Sequence, residues 1–155
     1  MKTNAMRLLD VNNIKYELVP YKIYNDNYDA VQIAMDNKIP ENLLFKTLIC
    51  ISESKQIMVA VLPAKEQLSI KKLEKVTESK QIEFLPTEEL LFKIGYIRGG
   101  CSPIAMKKKF PVYFHSSIPD NTLIWINAGK KGFLLKMFFN DVIKITGGLL
   151  ADISR

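Results

Sequence analysis

Apolar residues recur along the chain in two rhythms, one helical and one extended. Met6 and Leu9, with Leu8 beside them, lie at helical spacing behind Thr3 or Asn4, either of which can cap, and Asn12 and Asn13 end the segment. Residues 14–19 predict a short strand. After a polar and aromatic stretch over residues 20–27, Tyr28, Val31, Ala34 and Met35 return to helical spacing until Asn37 and Pro40 stop the turn. Residues 43–51 and 56–62 are apolar and rich in Ile, Leu and Val, with the polar run 52–55 between them, and predict a hairpin buried on both faces.

Ser69 predicts the cap of a helix carrying Ile70, Leu73 and Val76. Thr87 predicts another, with Glu88 and Glu89 in its first turn, where the helix dipole favours acids. Short strands are expected at residues 81–84, 112–114, 123–127 and 133–138. Asn140 should cap a last short helix that Gly147 and Gly148 end. No period of 20 to 50 residues repeats and no low-complexity linker intervenes, so residues 1–155 read as one domain. Hairpin signals coexisting with strand and helix alternation predict a mixed α/β, α+β-like fold. Its expected form is a curled mixed sheet approaching a barrel with helices packed outside, not a doubly wound parallel sheet.

Composition narrows the function classes. With 155 residues, 48% hydrophobic and 25% charged, the chain can bury a substantial core and fold alone. No stretch of 18 uncharged apolar residues and no signal-like start is present, which sets the expectation of a cytoplasmic protein with no membrane association. Cys50, Cys101 and the single histidine, His115, lack metal-ligand spacing, so neither a metal nor another cofactor is expected. The excess of 22 Lys and Arg over 16 Asp and Glu, a net +6, biases the surface toward phosphates without proving a nucleic-acid partner.

Candidate chemistry begins with Lys46, which interrupts the apolar run of residues 44–49. Strand alternation puts it on the face of Leu44, Leu48 and Cys50. A lysine there either snorkels to water or lines a site that uses its donors and altered basicity. Arg98, Gly99, Gly100, Cys101, Ser102 and Pro103 form the second feature. Two glycines let successive N–H groups converge on an oxyanion, or simply make a tight turn. Cys101 with His115 would be a nucleophile and base if the fold brought them together, whereas Cys50 reads as packing. Lys107, Lys108 and Lys109, with Lys130 and Lys131, are either solvated faces or phosphate contacts. Residues 127–132 read as a hairpin loop, not a P-loop, which would require Gly-Lys-Ser/Thr before a helix. Tyr16, Tyr21, Tyr24 and Tyr28 could stack on a base or fill a core edge.

Taken together, the start at residues 2–9, the stretch 14–21, Phe45-Lys46-Thr47-Leu48, the segment from Gly95 to Phe110 and the turn at 127–132 resemble the YbaK/EbsC family of aminoacyl-tRNA deacylases. These are relatives of the editing domain of bacterial prolyl-tRNA synthetases. The resemblance spans nearly the whole chain. It implies a trans-editing deacylase that removes cysteine mischarged on proline tRNA, the substrate thiol attacking its own carbonyl so that no protein nucleophile is needed. It implies Lys46, Gly99 and Gly100 as the catalytic groups. Tyr21, Cys101, Ser102, Pro103, Asn127 and Gly129 are implied around the aminoacyl group, and Arg98, Lys107, Lys108, Lys109, Lys130 and Lys131 on tRNA phosphates. The implied partners are the acceptor end of proline tRNA and a prolyl-tRNA synthetase that supplies tRNA identity, with no DNA. Ala105 stands where the family commonly has Gly, and Asn127 where it has Ser. A deacylase for another small amino acid such as alanine, and a tRNA- or synthetase-binding module without turnover, are the competing readings.

Overall fold

The computed structural model describes residues 2–25, 29–115 and 118–155. Helix α1 (Asn4–Val11) is capped by the Thr3 hydroxyl, which accepts from the Met6 amide at 3.2 Å and donates to the Ala128 carbonyl at 2.6 Å. One residue thus starts a helix and ties it to a distant loop. Strand β1 (Glu17–Pro20) begins later than the apolar run suggested, and its Pro20 is accommodated because β1 is an edge strand. Helix α2 (Ala30–Asp36) is capped by Asp29, buries Ile33 and Ala34, and leaves Met35 exposed. Tyr28, expected on its apolar face, lies outside the described residues.

The anticipated hairpin is strands β2 (Phe45–Ile51) and β3 (Ile57–Pro63), antiparallel from Phe45 opposite Pro63 to Ile51 opposite Ile57. Alternation sends Phe45, Ile49, Ile51, Val59 and Val61 into the main core, and Cys50, Met58, Ala60 and Leu62 into a second core with Leu73 and Ile153. Burial on both faces is the physical reason these runs lack polar alternation. Helix α3 (Ile70–Thr77) starts at its Ser69 cap and buries Leu73, while Val76 stays exposed.

Strand β4 (Glu83–Phe84) is only two residues long, and a 3-10 turn (Thr87–Glu89) leads into helix α4 (Leu90–Ile94). Thr87 therefore does not cap an α-helix: it is the first residue of the 3-10 turn behind Pro86, and Glu89 stands at the start of α4. Strands β5 (Val112–His115), β6 (Leu123–Asn127) and β7 (Phe133–Phe138) follow as expected. Helix α5 (Phe139–Thr146) starts before Asn140, because Phe139 is drawn into the core, and the Asn140 side chain instead accepts from the Asn121 amide at 3.1 Å. Gly147, at φ +67°, ends α5. The next residues form β8 (Leu149–Ala151), which local pattern did not predict. A Cβ at Gly148 would lie 2.3 Å from the Phe114 ring, so only glycine lets β8 close on β5.

The fold is mixed α/β, but the strands divide into two sheets, ordered β1-β7-β6 and β4-β2-β3-β5-β8, and no closed barrel forms among the described residues. In the second sheet β3-β5 and β5-β8 are parallel, whereas β2 pairs antiparallel with both neighbours. Among the described residues one isolated bridge joins the two sheets, Leu44 to Trp125, where the Trp125 amide donates to the Leu43 carbonyl at 2.9 Å. Met6 and Leu9 of α1, Ile124 and Ile126 of β6, and Phe139 and Val142 of α5 fill the main core between them. Among the described residues, no helix is long and apolar enough to cross a membrane.

Candidate active site

Lys46 sits one residue into β2, opposite Leu62, on the face it shares with Leu48 and Cys50. It is half-buried, and its Nζ donates to the Ala64 carbonyl at 3.1 Å. Burial pushes its pKa below the usual 10.5, opposed by the nearby charges of Asp29 and Glu66. The side chain is thus not fully snorkelled, and among the described residues it makes no close ion pair.

The edge of β2 explains why a cavity opens here. Strand β4 pairs only with Cys50 and Ile51, and the last backbone bond on that side runs from the Leu85 amide to the Ile49 carbonyl at 2.9 Å. In an antiparallel strand, groups two residues apart face the same edge. The amide and carbonyl of Thr47 therefore face the edge where β4 has already ended. Beside this open edge lies a cavity of about 360 Å³. Lys46, Thr47, Gly99, Cys101, Tyr21 and Asn127 line it, with Asp29, Ile33 and Leu134 behind them. Lys46 and the first glycine of the pair share one space.

The glycine loop is built as a tight turn. Gly99 takes φ +84°, a region open to glycine, and the Gly100 amide donates to the Ile97 carbonyl at 2.9 Å. The Gly99 carbonyl is held from across the cavity, accepting from Asn127 Nδ2 at 2.8 Å and from the Tyr21 hydroxyl at 3.4 Å. Asn127 Oδ1 in turn accepts from the Gly129 amide at 2.9 Å. This corrects the expectation for the diglycine: the Gly100 N–H is spent within the turn. Among the described residues the N–H groups of Gly99 and Cys101 make no hydrogen bond.

Other expected site residues lie elsewhere. Ser102 is fully buried, its Oγ accepting from the Ile104 amide at 3.1 Å, and Pro103 borders a separate cavity beside Lys108 and Lys109. Neither lines the Lys46 cavity, because the chain turns inward after Cys101. Gly129 does not line it either; at φ +94° it is a turn position packed on the Tyr96 ring. Burial pushes the Cys101 thiol up to about 12. His115 places Nε2 3.4 Å from the Ser154 hydroxyl and does not line the cavity, so it does not serve Cys101 as a base. Among the described residues, no three His, Cys, Asp or Glu side chains group as metal ligands.

The basic residues divide. Arg98 lines the cavity, and the backbone of Lys130 and Lys131 packs within 3.2–3.4 Å of where a Gly100 Cβ would be, so that loop lies directly behind the diglycine. Lys107 is tied to α4, its Nζ donating to the Phe92 carbonyl at 2.9 Å and lying 4.8 Å from the Phe92 ring centroid. Lys107, Lys108 and Lys109 are exposed. Of the tyrosines, Tyr21 lines the cavity, whereas Tyr16 donates to Asp10 at 2.9 Å on the surface. Asp29 and Thr47 were missed as lining residues. Asp29 reads locally as a helix cap, and Thr47 stands in an apolar strand with no spacing signal.

Residues 25–145 match the family model of the aminoacyl-tRNA editing domain. Over 153 residues, 99% of this chain and 93% of its relative, the chain is 35% identical to a candidate Cys-tRNA(Pro)/Cys-tRNA(Cys) deacylase, EbsC, of Enterococcus faecalis. Among solved structures it superposes on a candidate trans-editing enzyme for prolyl-tRNA synthetase with TM-score 0.80 and 17% identity, covering 100% of this chain and 99% of that one. It superposes on the hypothetical protein APE2540 with TM-score 0.85 and 17% identity, covering 99% and 100%. At these identities the two structures speak to the fold alone.

Proposed function

The chain belongs to the aminoacyl-tRNA editing domain family, and from that premise we propose that it deacylates mischarged Cys-tRNA(Pro) in trans, the substrate thiol serving as nucleophile. The observation that carries this reading is that Lys46, Gly99 and Cys101 line one cavity in which burial keeps the Cys101 thiol protonated. The acyl group enters beside Tyr21 and Asn127. The thiol sulfur bonds to the ester carbonyl carbon, the bond from that carbon to the ribose oxygen breaks, and the thiol proton ends on the ribose oxygen. The products are tRNA and a cysteine thiolactone, which water opens.

Holding sulfur and carbonyl together in a confined space supplies an effective molarity of about 10⁵ M or more in well-oriented cases. The Lys46 ammonium bonds the carbonyl or ribose oxygen, exchanging the neutral Ala64 acceptor for one that gains negative charge. The Gly99 and Cys101 N–H groups meet the developing oxyanion, a role in which one donor contributes on the order of 10²-fold or more. Arg98 and the Lys130–Lys131 loop, beside the diglycine, meet the phosphates, and a prolyl-tRNA synthetase supplies tRNA identity.

The test is a panel of Cys-, Ala-, Ser- and Pro-charged proline tRNA. Rapid loss of Cys alone, abolished by Lys46→Ala, supports the reading. Equal loss of Ala overturns the thiol route and makes this a deacylase for small amino acids. The basic surface favours one further reading, a tRNA-binding module without turnover. It requires salt-sensitive tRNA binding with no ester loss above buffer.

A further inference from the structure

The end of the β2–β3 hairpin far from Lys46 carries an unfinished sheet edge. Lys46 lies opposite Leu62 and Ile51 opposite Ile57, so the two ends stand about 17 Å apart at roughly 3.4 Å per residue. Alternate residues of β3 face β5: the Val59 amide donates to the Pro111 carbonyl at 2.9 Å, and Val59 is the first β3 residue in register with β5. Ile57, two residues earlier, faces the same edge. Its carbonyl would need an N–H from Pro111, which proline lacks, and among the described residues its amide makes no hydrogen bond to residues 107–110. The ladder stops one partner short.

Two cavities flank this edge, and Ile57 lines both. One, of about 360 Å³, has Phe92 and Phe110 as apolar walls with Lys55, Lys93, Lys107 and Lys108 around them. Phe92 is 75% exposed. Lys107 is held on Phe92 and Lys93 pairs with Glu89 at 2.6 Å, whereas among the described residues Lys55 and Lys108 make no ion pair. The other cavity, of about 410 Å³, is neutral, with Gln56, Thr77 and Ser79 beside Met58 and Tyr113. Ile57 and Phe110 pack on the main core, Met58 and Tyr113 on the second, so the two cavities belong to opposite faces of the sheet.

We propose that this edge docks an extended acidic segment of a partner protein, laid beside Ile57 as a short added strand. An extended chain supplies the amide and carbonyl that Pro111 leaves missing, which is recognition by strand addition. Its side chains alternate between faces, so successive residues enter the two cavities in turn. A glutamate suits the basic one: its methylenes lie on Phe92 and its carboxylate meets Lys55 and Lys108. A neutral side chain suits the other, against Met58 and Tyr113. A second copy of this chain, at net +6, would bring like charge to the lysines. RNA phosphates would neutralise the lysines but carry no N–H and C=O spaced as a strand for Ile57. The proposal goes beyond the deacylase reading and does not depend on it.

The probe is an acetylated, amidated hexapeptide alternating glutamate and valine, added to the whole protein while backbone amide resonances are followed. Shifts are expected at Ile57, Met58 and Tyr113 and not at Gly99. The same peptide with lysine in place of glutamate should give none, and a fully N-methylated version, equal in charge but unable to donate from its main chain, should lose binding. Lys55→Glu, in an exposed loop, and Phe92→Ala, at an exposed ring, should each weaken the glutamate peptide about tenfold, the scale of one interface anchor. No shift at those three amides, undiminished binding of the N-methylated peptide, or undiminished binding by Lys55→Glu overturns the proposal. Shifts there with a single-stranded RNA hexamer but not with the peptide also overturn it and make the groove a nucleic-acid contact. The deacylation assay reads a separate site, so neither result decides the other.

Discussion

The side-chain amide of Asn127 donates to the Gly99 carbonyl at 2.8 Å, joining the end of β6 to the glycine turn across 28 residues of sequence. Because the same side chain accepts from the Gly129 amide at 2.9 Å, one residue braces both loops beside the cavity. An amide, carrying both donor and acceptor, can hold two backbones at once.

Removing that brace should therefore cost both stability and rate. Asn127→Ala leaves the Gly99 carbonyl with only the longer Tyr21 contact, and roughly 1–3 kcal/mol of stability is expected to be lost. Urea denaturation reads the first effect, and kcat/KM on Cys-tRNA(Pro) the second. Unchanged values of both would show that the turn holds itself.

Two glycines should respond differently to alanine. At Gly129 a Cβ would lie 2.8 Å from the Tyr96 ring and φ is +94°, so Gly129→Ala should lose about 2 kcal/mol or more. At Gly100 the Cβ would lie 3.2 Å from the Lys131 nitrogen, so Gly100→Ala pushes the basic loop back by tenths of an ångström. Its expected signature is a small fall in Tm with a larger fall in deacylation. Thermal melts beside kinetics separate the two.

Lys46 carries a pH prediction whose sign follows from its burial. Its folded pKa lies below 10.5, so the acting ammonium deprotonates earlier than a free lysine, and the alkaline limb of kcat/KM should fall below pH 10.5. Stability follows the same linkage. The ammonium's burial penalty is fully present below the lowered pKa and is relieved as pH rises from there toward 10.5, so stability relative to Lys46→Met rises across that window. Denaturation of the pair at several pH values checks this. A flat difference would mean that Lys46 keeps its ordinary basicity.

Cys101 should act through its backbone. With the thiol held near 12, alkylation at pH 8 is expected to be slow, and Cys101→Ser should keep kcat/KM within about threefold of the parent. Loss of activity on that change would restore a thiol mechanism.

Neutralising Lys107, Lys108 and Lys109 to glutamine should flatten the salt dependence of tRNA binding by up to about 0.7–0.9 per lost phosphate contact. Lys107, held against Phe92, is expected to contribute least. Filter binding across a salt series reads the slope, and an unchanged slope would move the phosphate track to Arg98 and the Lys130–Lys131 loop.

The linear order determined what depends on local periodicity. The unbroken apolar runs of β2 and β3 encode burial on both faces, Ser69 and Thr3 encode helix starts, and Lys46 is conspicuous because a charge among Leu, Phe and Ile has few structural excuses. Local pattern misled where a distant partner competed. Asn140 looks like a cap, but the burial of Phe139 starts the helix earlier and frees Asn140 for Asn121. Ser102 and Pro103 follow the glycine pair in sequence, yet the chain turns inward and removes them from the cavity. Only the tertiary structure decided that β4 stops after two residues and leaves Thr47 on an open edge, that Gly100 spends its amide on Ile97, and that Asn127 reaches Gly99. Periodicity reports which side of an element faces the core. Where an edge is left unpaired depends on the register of strands far apart in the chain, and no short window contains that information.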